Sequence, residues 1–458
     1  MQILRRIFFY TIISSIALIT SCKKDTVFKT YAKQETTIIP GDSRLLNDTL
    51  HFFKDTVYIL GANINRLKGQ VFLIDAGTLV KVNDGISITI NAGARIEAIG
   101  TATEPIVFTS FAYKGLPGYI GTNDKDEHSW LGIAIYGNYP NTLIGDNSVF
   151  GTGILKYVRI EFAGRKRHNS SSLPSLLLKN VGKGTVINNI QVSYSVAYSS
   201  FQISGGNVNA GNLVSYASGN TDYNLLDGYK GLLQNLLAYR HPYFSPQPGS
   251  GTTLAGLQIS GDETNPSISN LTVLGPDLQF GTNPKYSDTI QDPFGSKVAA
   301  FIATGGKFHI RNSVLMGFPE GAVYIDSKYT AQSLENGSSD IKYTLFHSND
   351  AYRTFYLTPK IYKQYNSQDL KGLLLRPGYN GHVIDSSAAF MFTDPFNFDV
   401  HPDPMPKAGS PVLSGADFND PVYEDTFFNK VTYRGALGTD NWLQSWTNFI
   451  PLQTNYNN

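Results

Sequence analysis

One stretch of the chain carries two carboxylates, Asp222 and Asp227, and three basic side chains, Lys230, Arg240 and His241. Residues of these types cleave acidic polysaccharides by one of two routes. Elimination uses a Ca²⁺ ion held by several carboxylates beside an Arg or Lys base, and hydrolysis uses an acid and a base carboxylate on opposite faces of the scissile bond. Neither set is complete, because the chain contains no Asp-Asp pair, no Gly-His-Gly and no Arg-Ile-Lys. Asp222, Asp227, Arg240 and His241 are the catalytic candidates, set against a plainer reading as isolated charges on a solvated rim. No cofactor is expected, Ca²⁺ being the one ion such carboxylates would suit. The eight histidines are scattered without a His-x-x-x-His pair, so no metal site is expected. Arg159 and Glu161 alternate on one expected strand and read as a surface ion pair.

Aromatic residues give a second kind of chemistry. Tyr194, Tyr216 and Tyr239 recur at 22 to 23 residues, and Tyr198, Tyr223, Tyr229 and Tyr243 crowd the same region. Stacked tyrosines offer a flat, polar-edged platform for sugar rings, with Lys230 beside it as a further ligand-binding candidate. The other reading makes them core or inter-coil stacks.

The elements that would position these residues follow from internal repetition. Asn189, Asn212 and Asn235 each open a β-like run and stand 23 residues apart; Asn270 follows 35 residues on and Asn312 another 42. A glycine precedes each: Gly184, Gly206, Gly228, Gly261 and Gly306. Another β-like run comes before most of these, as in Phe201-Gln202-Ile203-Ser204, Tyr223-Asn224-Leu225-Leu226, Leu257-Gln258-Ile259-Ser260 and Ala300-Phe301-Ile302-Ala303. A unit of about 22 residues cannot bury its apolar face alone, whereas stacked units pair every strand with its copy above and below. The expectation is an all-β chain forming a single right-handed parallel β-helix. Its asparagines form an inward-facing ladder and its glycines serve bends with positive φ. Upstream runs such as Val71–Val82, Ile88–Gly100, Pro105–Ser110, Trp130–Ile135 and Leu155–Phe162 continue the pattern, and Ile341–Phe346 is the last clear coil.

Composition fits this and narrows function. Cys22 is the only cysteine and stands behind Met1 to Ser21, in which Arg5 and Arg6 precede an apolar run from Ile7 to Ile19. That run, about 13 residues, is short for a membrane span, which takes about 20. The leader reads as a lipoprotein signal peptide with Cys22 as the lipidation point. Its removal takes away Arg5 and Arg6 and no acid, leaving 35 basic against 36 acidic side chains. Such a balance implies no nucleic-acid partner, and the densest basic cluster, Arg165-Lys166-Arg167-His168, reads as a solvated loop. The expected division is 1–21 signal peptide, 22–45 lipidated tether, 46–400 β-helix and 401–458 a C-terminal cap. In the cap, Trp442, Trp446 and Phe449 would cover the open end of the solenoid.

The coils at Ala76-Gly77-Thr78 and Asn91 to Gly100, the segment Ser129-Trp130-Leu131-Gly132-Ile133, the run Leu155 to Gly164 and the ending Tyr433-Arg434-Gly435-Ala436-Leu437-Gly438 to Asn448 resemble a family of Bacteroidota lipoproteins. That family has a right-handed parallel β-helix related in shape to pectate lyases. Coverage is nearly the whole mature chain. The resemblance implies a lipid-anchored monomer of the outer membrane, at its periplasmic face or on the cell surface, and leaves activity open. Lys23-Lys24-Asp25 matches the acidic export signal of surface lipoproteins only in part. Relatives often carry acid-rich turns in the middle coils. Here Ser195 to Ser200 has no acid, and Gly219 to Tyr229 keeps only Asp222 and Asp227, which implies a weakened capacity for cations or sugars. Two functions remain: a non-catalytic module binding a polysaccharide or a surface protein along its flank, and a polysaccharide lyase or glycoside hydrolase acting on acidic polysaccharide.

Overall fold

The computed structural model describes residues 34–112, 130–139, 152–164, 173–195, 199–241, 255–277, 298–303, 305–319, 321–358, 361, 364–397 and 401–456. Among them the chain winds as a right-handed parallel β-helix. One wall is a ten-stranded parallel sheet to which each coil gives a short strand, running from Ile64–Arg66 to Phe355–Leu357. The other strands of the coils belong to a seventeen-stranded sheet that bends around the other sides. Alternation along each strand sends one set of side chains into the lumen, where Ile190, Leu213, Leu236 and Leu271 stack coil upon coil with Ile203, Leu225 and Ile259 in one continuous apolar core.

The recurring asparagines mark the bend in the larger sheet. Asn189, Asn212, Asn235, Asn270 and Asn312 all adopt φ between 53° and 58°, and Tyr157 and Tyr343 (both 52°) hold the same position in the coils at either end. Each bend breaks a long strand into two segments facing different directions. Asparagine tolerates this left-handed conformation far better than a branched residue. The expected ladder is thus present as a bend, but it does not face inward. Asn235 Nδ2 donates to Asn212 Oδ1 at 2.9 Å, and Asn212 Nδ2 reaches Asn188 Oδ1 at 3.4 Å rather than Asn189. Asn270 donates to the backbone oxygens of Tyr433 and Gly435, and Asn312 exchanges both amide hydrogen bonds with the backbone of Asp417. These partners belong to the C-terminal segment, so the amides of the last two coils point out of the coil. Of the five glycines, Gly206, Gly228 and Gly261 take positive φ, while in the last coil Gly305 does so in place of Gly306.

Both ends of the solenoid differ from expectation. Gln34–Ile38, expected as tether, is a strand in parallel register with Thr56–Leu60, because its alternating pattern completes the first coil. The far end is closed by helix Ser367–Leu374, fixed at its start by an Asn366/Asp369 capping box and burying Leu370 and Leu374 against the last coil. The aromatic tail therefore does not cover an open end. Residues 386–397 and 401–456 lie along the outer face of the larger sheet instead, held by side-chain amides that each pair with both backbone groups of one residue. Gln191 does so with Asn448 at 2.7 and 2.8 Å, and Gln234 with Asn429 at 2.8 and 2.7 Å. The approach is close: a Cβ on Gly435 would lie 2.4 Å from Thr272 Oγ1, and Gly435 itself takes φ 75°.

Candidate functional site

Asp222 and Asp227 stand at the two ends of strand Tyr223–Leu226, which separates them by about 16 Å of extended chain. Asp222 is inside the corner where the larger sheet passes into the ten-stranded one. Its Oδ2 lies 2.8 Å from Arg240 Nε, and its Oδ1 accepts from Ser215 Oγ at 2.5 Å. Arg240 spends its other two nitrogens on the carbonyl oxygens of Ser218 and Ala255, both at 2.9 Å. Both side chains are fully buried. Burial pushes the Asp222 carboxyl up to about 6, against the opposing pull of Arg240. Every arm of this pair is consumed within the fold, so the pair holds a corner rather than waiting for substrate.

Asp227 is on the surface, at φ 54° in the next bend, where Ser204 Oγ donates to it at 2.7 Å. Lys230 is exposed and pairs with Glu263 at 3.0 Å. His241 is buried on the outer side beside Tyr194 and Tyr216, 6.3 Å from each ring, and burial lowers its pKa to about 3, which keeps the ring neutral at physiological pH. The structure therefore brings Asp222 and Arg240 together and sets Asp227 and Lys230 apart from them. Among the described residues no group of three or more His, Cys, Asp or Glu side chains is placed to hold a metal ion.

The tyrosines correct the expected platform. Tyr216 and Tyr239 share one register position on the outer face of the larger sheet, with Tyr194 edge-on to Tyr216 at 5.7 Å. All three are buried: Phe449 of the C-terminal segment meets Tyr216 at 5.1 Å and Tyr239 at 6.1 Å, edge to face, and Tyr194 stacks on Phe162 at 5.6 Å beside His241. No ring face is left for a sugar. Tyr223 and Tyr229 are inside the lumen, where Tyr223 donates to the carbonyls of Leu213 and Leu237 and Tyr229 to that of Val208. Arg159 and Glu161, expected as a surface pair, are buried beneath Tyr456, whose hydroxyl accepts from Arg159 Nη2 and donates to Glu161 Oε1. Burial raises the Glu161 carboxyl above its ordinary range, with Arg159 opposing. Tyr198, Tyr243 and Cys22 lie outside the described residues.

A different constellation stands on the outer face of the ten-stranded sheet. Gln202, Asn224, Gln258, Phe301, Tyr324 and Tyr356 occupy one register position in six successive coils. At the usual spacing of neighbouring strands the row is about 24 Å long. The positions before it, Asn65, Thr89, Ala134 and Leu177, carry no charge either. The three rings stack along the axis, Phe301 on Tyr324 at 5.1 Å and Tyr324 beside Tyr356 at 5.0 Å. Gln202 and Gln258 are half-buried, and Asn224 is 8% exposed. Gln202 Oε1 and Asn224 Oδ1 have no hydrogen-bond partner among the described residues. Sequence reasoning passed over this row. Its signal was the second residue of each short β run, Gln202, Asn224, Gln258 and Phe301, where strand alternation points outward.

A family model described as a pectate-lyase-like β-helix domain matches residues 45–372. Searches of curated proteins and of solved structures returned no match.

Proposed function

Because the chain belongs to the family described by the pectate-lyase-like β-helix domain, we propose that it is a non-catalytic glycan-binding module held at the outer membrane by a lipid on Cys22. The observation that carries the binding reading is the amide and aromatic row on the outer face of the ten-stranded sheet. Each amide offers both a donor and an acceptor, the pairing that a sugar's adjacent hydroxyls require. The stacked rings add a stiff apolar strip along the same line. A row repeating at every coil suits a partner that also repeats. The separation of Asp222 and Arg240 from Asp227, and the engagement of the first pair with each other and with Ser215, Ser218 and Ala255, support binding without bond cleavage. A docked protein would instead want a central apolar cluster.

Retention of the full chain in native gels loaded with polysaccharide tests this reading. The expected result is slowed migration with at least one polymer, with retention weakened in Tyr324→Ala while the melting temperature of the variant stays within a few degrees of the parent. Retention unchanged by Tyr324→Ala would set the reading aside.

The anchor rests on the leader, in which Arg5 and Arg6, the apolar run and Ser21 stand ahead of a single cysteine. Cys22→Ala is expected to move the protein from the detergent phase to the aqueous phase on Triton X-114 partitioning. A mutant that stayed in the detergent phase would contradict lipidation.

A further inference from the structure

We infer that the ligand of this face is a neutral, hydroxyl-rich polysaccharide lying parallel to the helix axis, not an acidic one; the inference rests on the binding reading above. Gln202 Oε1 and Asn224 Oδ1 are acceptors on adjacent strands, each without a hydrogen-bond partner among the described residues. A buried acceptor left unpaired is costly and needs an explanation, and a donor supplied by a ligand is one. Hydroxyl groups donate. Ionised carboxylates only accept, and two acceptors facing each other repel.

The charges around the row agree. No Lys or Arg occupies any position of it from Asn65 to Tyr356. Among the described residues, Arg353 lies 5.7 Å over the Tyr356 ring and is paired with Asp350, and Lys179 stands at the edge of the same outward face, two residues on from Leu177 and beside Ser204. The carboxylates at that edge, Asp227 just beyond Leu226 and Asp326 two residues on from Tyr324, would oppose a polyuronate. A uronic acid polymer passing along six coils would leave its charges unmatched, whereas a neutral chain needs the donors and acceptors that the amides present. The regular step from coil to coil runs along the helix axis, so an unbranched chain lying parallel to that axis meets one amide or ring at each step.

The experiment compares retention on neutral xylan, glucomannan and dextran with retention on polygalacturonate, alginate and hyaluronan, using the full chain and the variants Gln202→Leu and Asn224→Leu. These changes keep the bulk of the side chain and remove an unpaired acceptor, so the variants are expected to fold and melt as the parent does. The inference predicts retention by at least one neutral polymer, none by the uronates, and roughly tenfold weaker retention in each variant. Retention on a uronate, lost in the two variants, would overturn the neutral assignment and leave the binding face standing. Retention indifferent to both variants would overturn the binding face and the ligand class together. So would retention on no polysaccharide while a photo-crosslinker at Gln258 captures an envelope protein.

Discussion

Arg240→Ala is expected to cost about 3 to 5 kcal/mol of stability, measured as a shift of the urea midpoint at pH 8. The variant leaves the Asp222 carboxylate in a fully buried corner with only Ser215 to solvate it. The carboxyl is already pushed up to about 6 with Arg240 beside it, and losing that cation raises it further. A raised carboxyl pKa means that the folded state holds its proton more tightly than the unfolded chain does. Stability is then kept at low pH and lost as pH rises through the folded value, so the deficit should be largest at pH 8 and shrink towards pH 5. Asp222→Ala strands Arg240 in the same way. The double variant Asp222→Ala/Arg240→Ala should lose far less than the two single losses added together, which a double-mutant cycle measures. A catalytic pair would behave otherwise, with stability nearly unchanged and turnover abolished.

Trp446→Ala is expected to cost about 3 to 5 kcal/mol, the usual consequence of emptying a large aromatic site. Trp446 is fully buried, meets the Tyr157 ring edge-on at 5.8 Å and donates from its indole to the carbonyl of Trp442. Its neighbours in the same cluster are the outward tyrosines Tyr216 and Tyr239 and the covering Phe449. The loss should therefore be accompanied by increased binding of an apolar dye, as the tyrosine row loses its cover. A variant with parental stability and no added dye binding would show that the C-terminal segment is not what buries those rings.

The β-helix was legible because its signals are local and repeated. Asn189, Asn212 and Asn235 recur at the coil length since each coil needs one residue that accepts the left-handed bend, and Gly206 and Gly228 mark further bends. What could not be read was which outward face is covered. Strand alternation places Gln191, Gln234, Tyr216 and Tyr239 outside the lumen, yet the same pattern suits a solvated face and one packed under another segment. Only the fold shows that Asn448, Asn429 and Phe449 lie there. Arg159 and Glu161 were misjudged for the same reason, since their cover comes from Tyr456, nearly three hundred residues away in sequence. Asp222 and Asp227 looked like one acidic turn because they are close in sequence, but a strand crosses the wall between them. The amide row was visible as the second residue of each short run and carried no charge to draw attention.

The central claim is that the chain binds a polysaccharide without cleaving it. Its most direct measurement is product analysis on whichever polymer retains the protein, incubated with the full chain at pH 5 to 8 with and without added Ca²⁺, and followed for new reducing ends and for the ultraviolet absorbance of unsaturated ends. The account predicts polymer of unchanged length and no new ends under any of these conditions, while retention persists. Steady release of shortened chains by the parent protein, abolished in a folded Asp227→Ala variant, would contradict it.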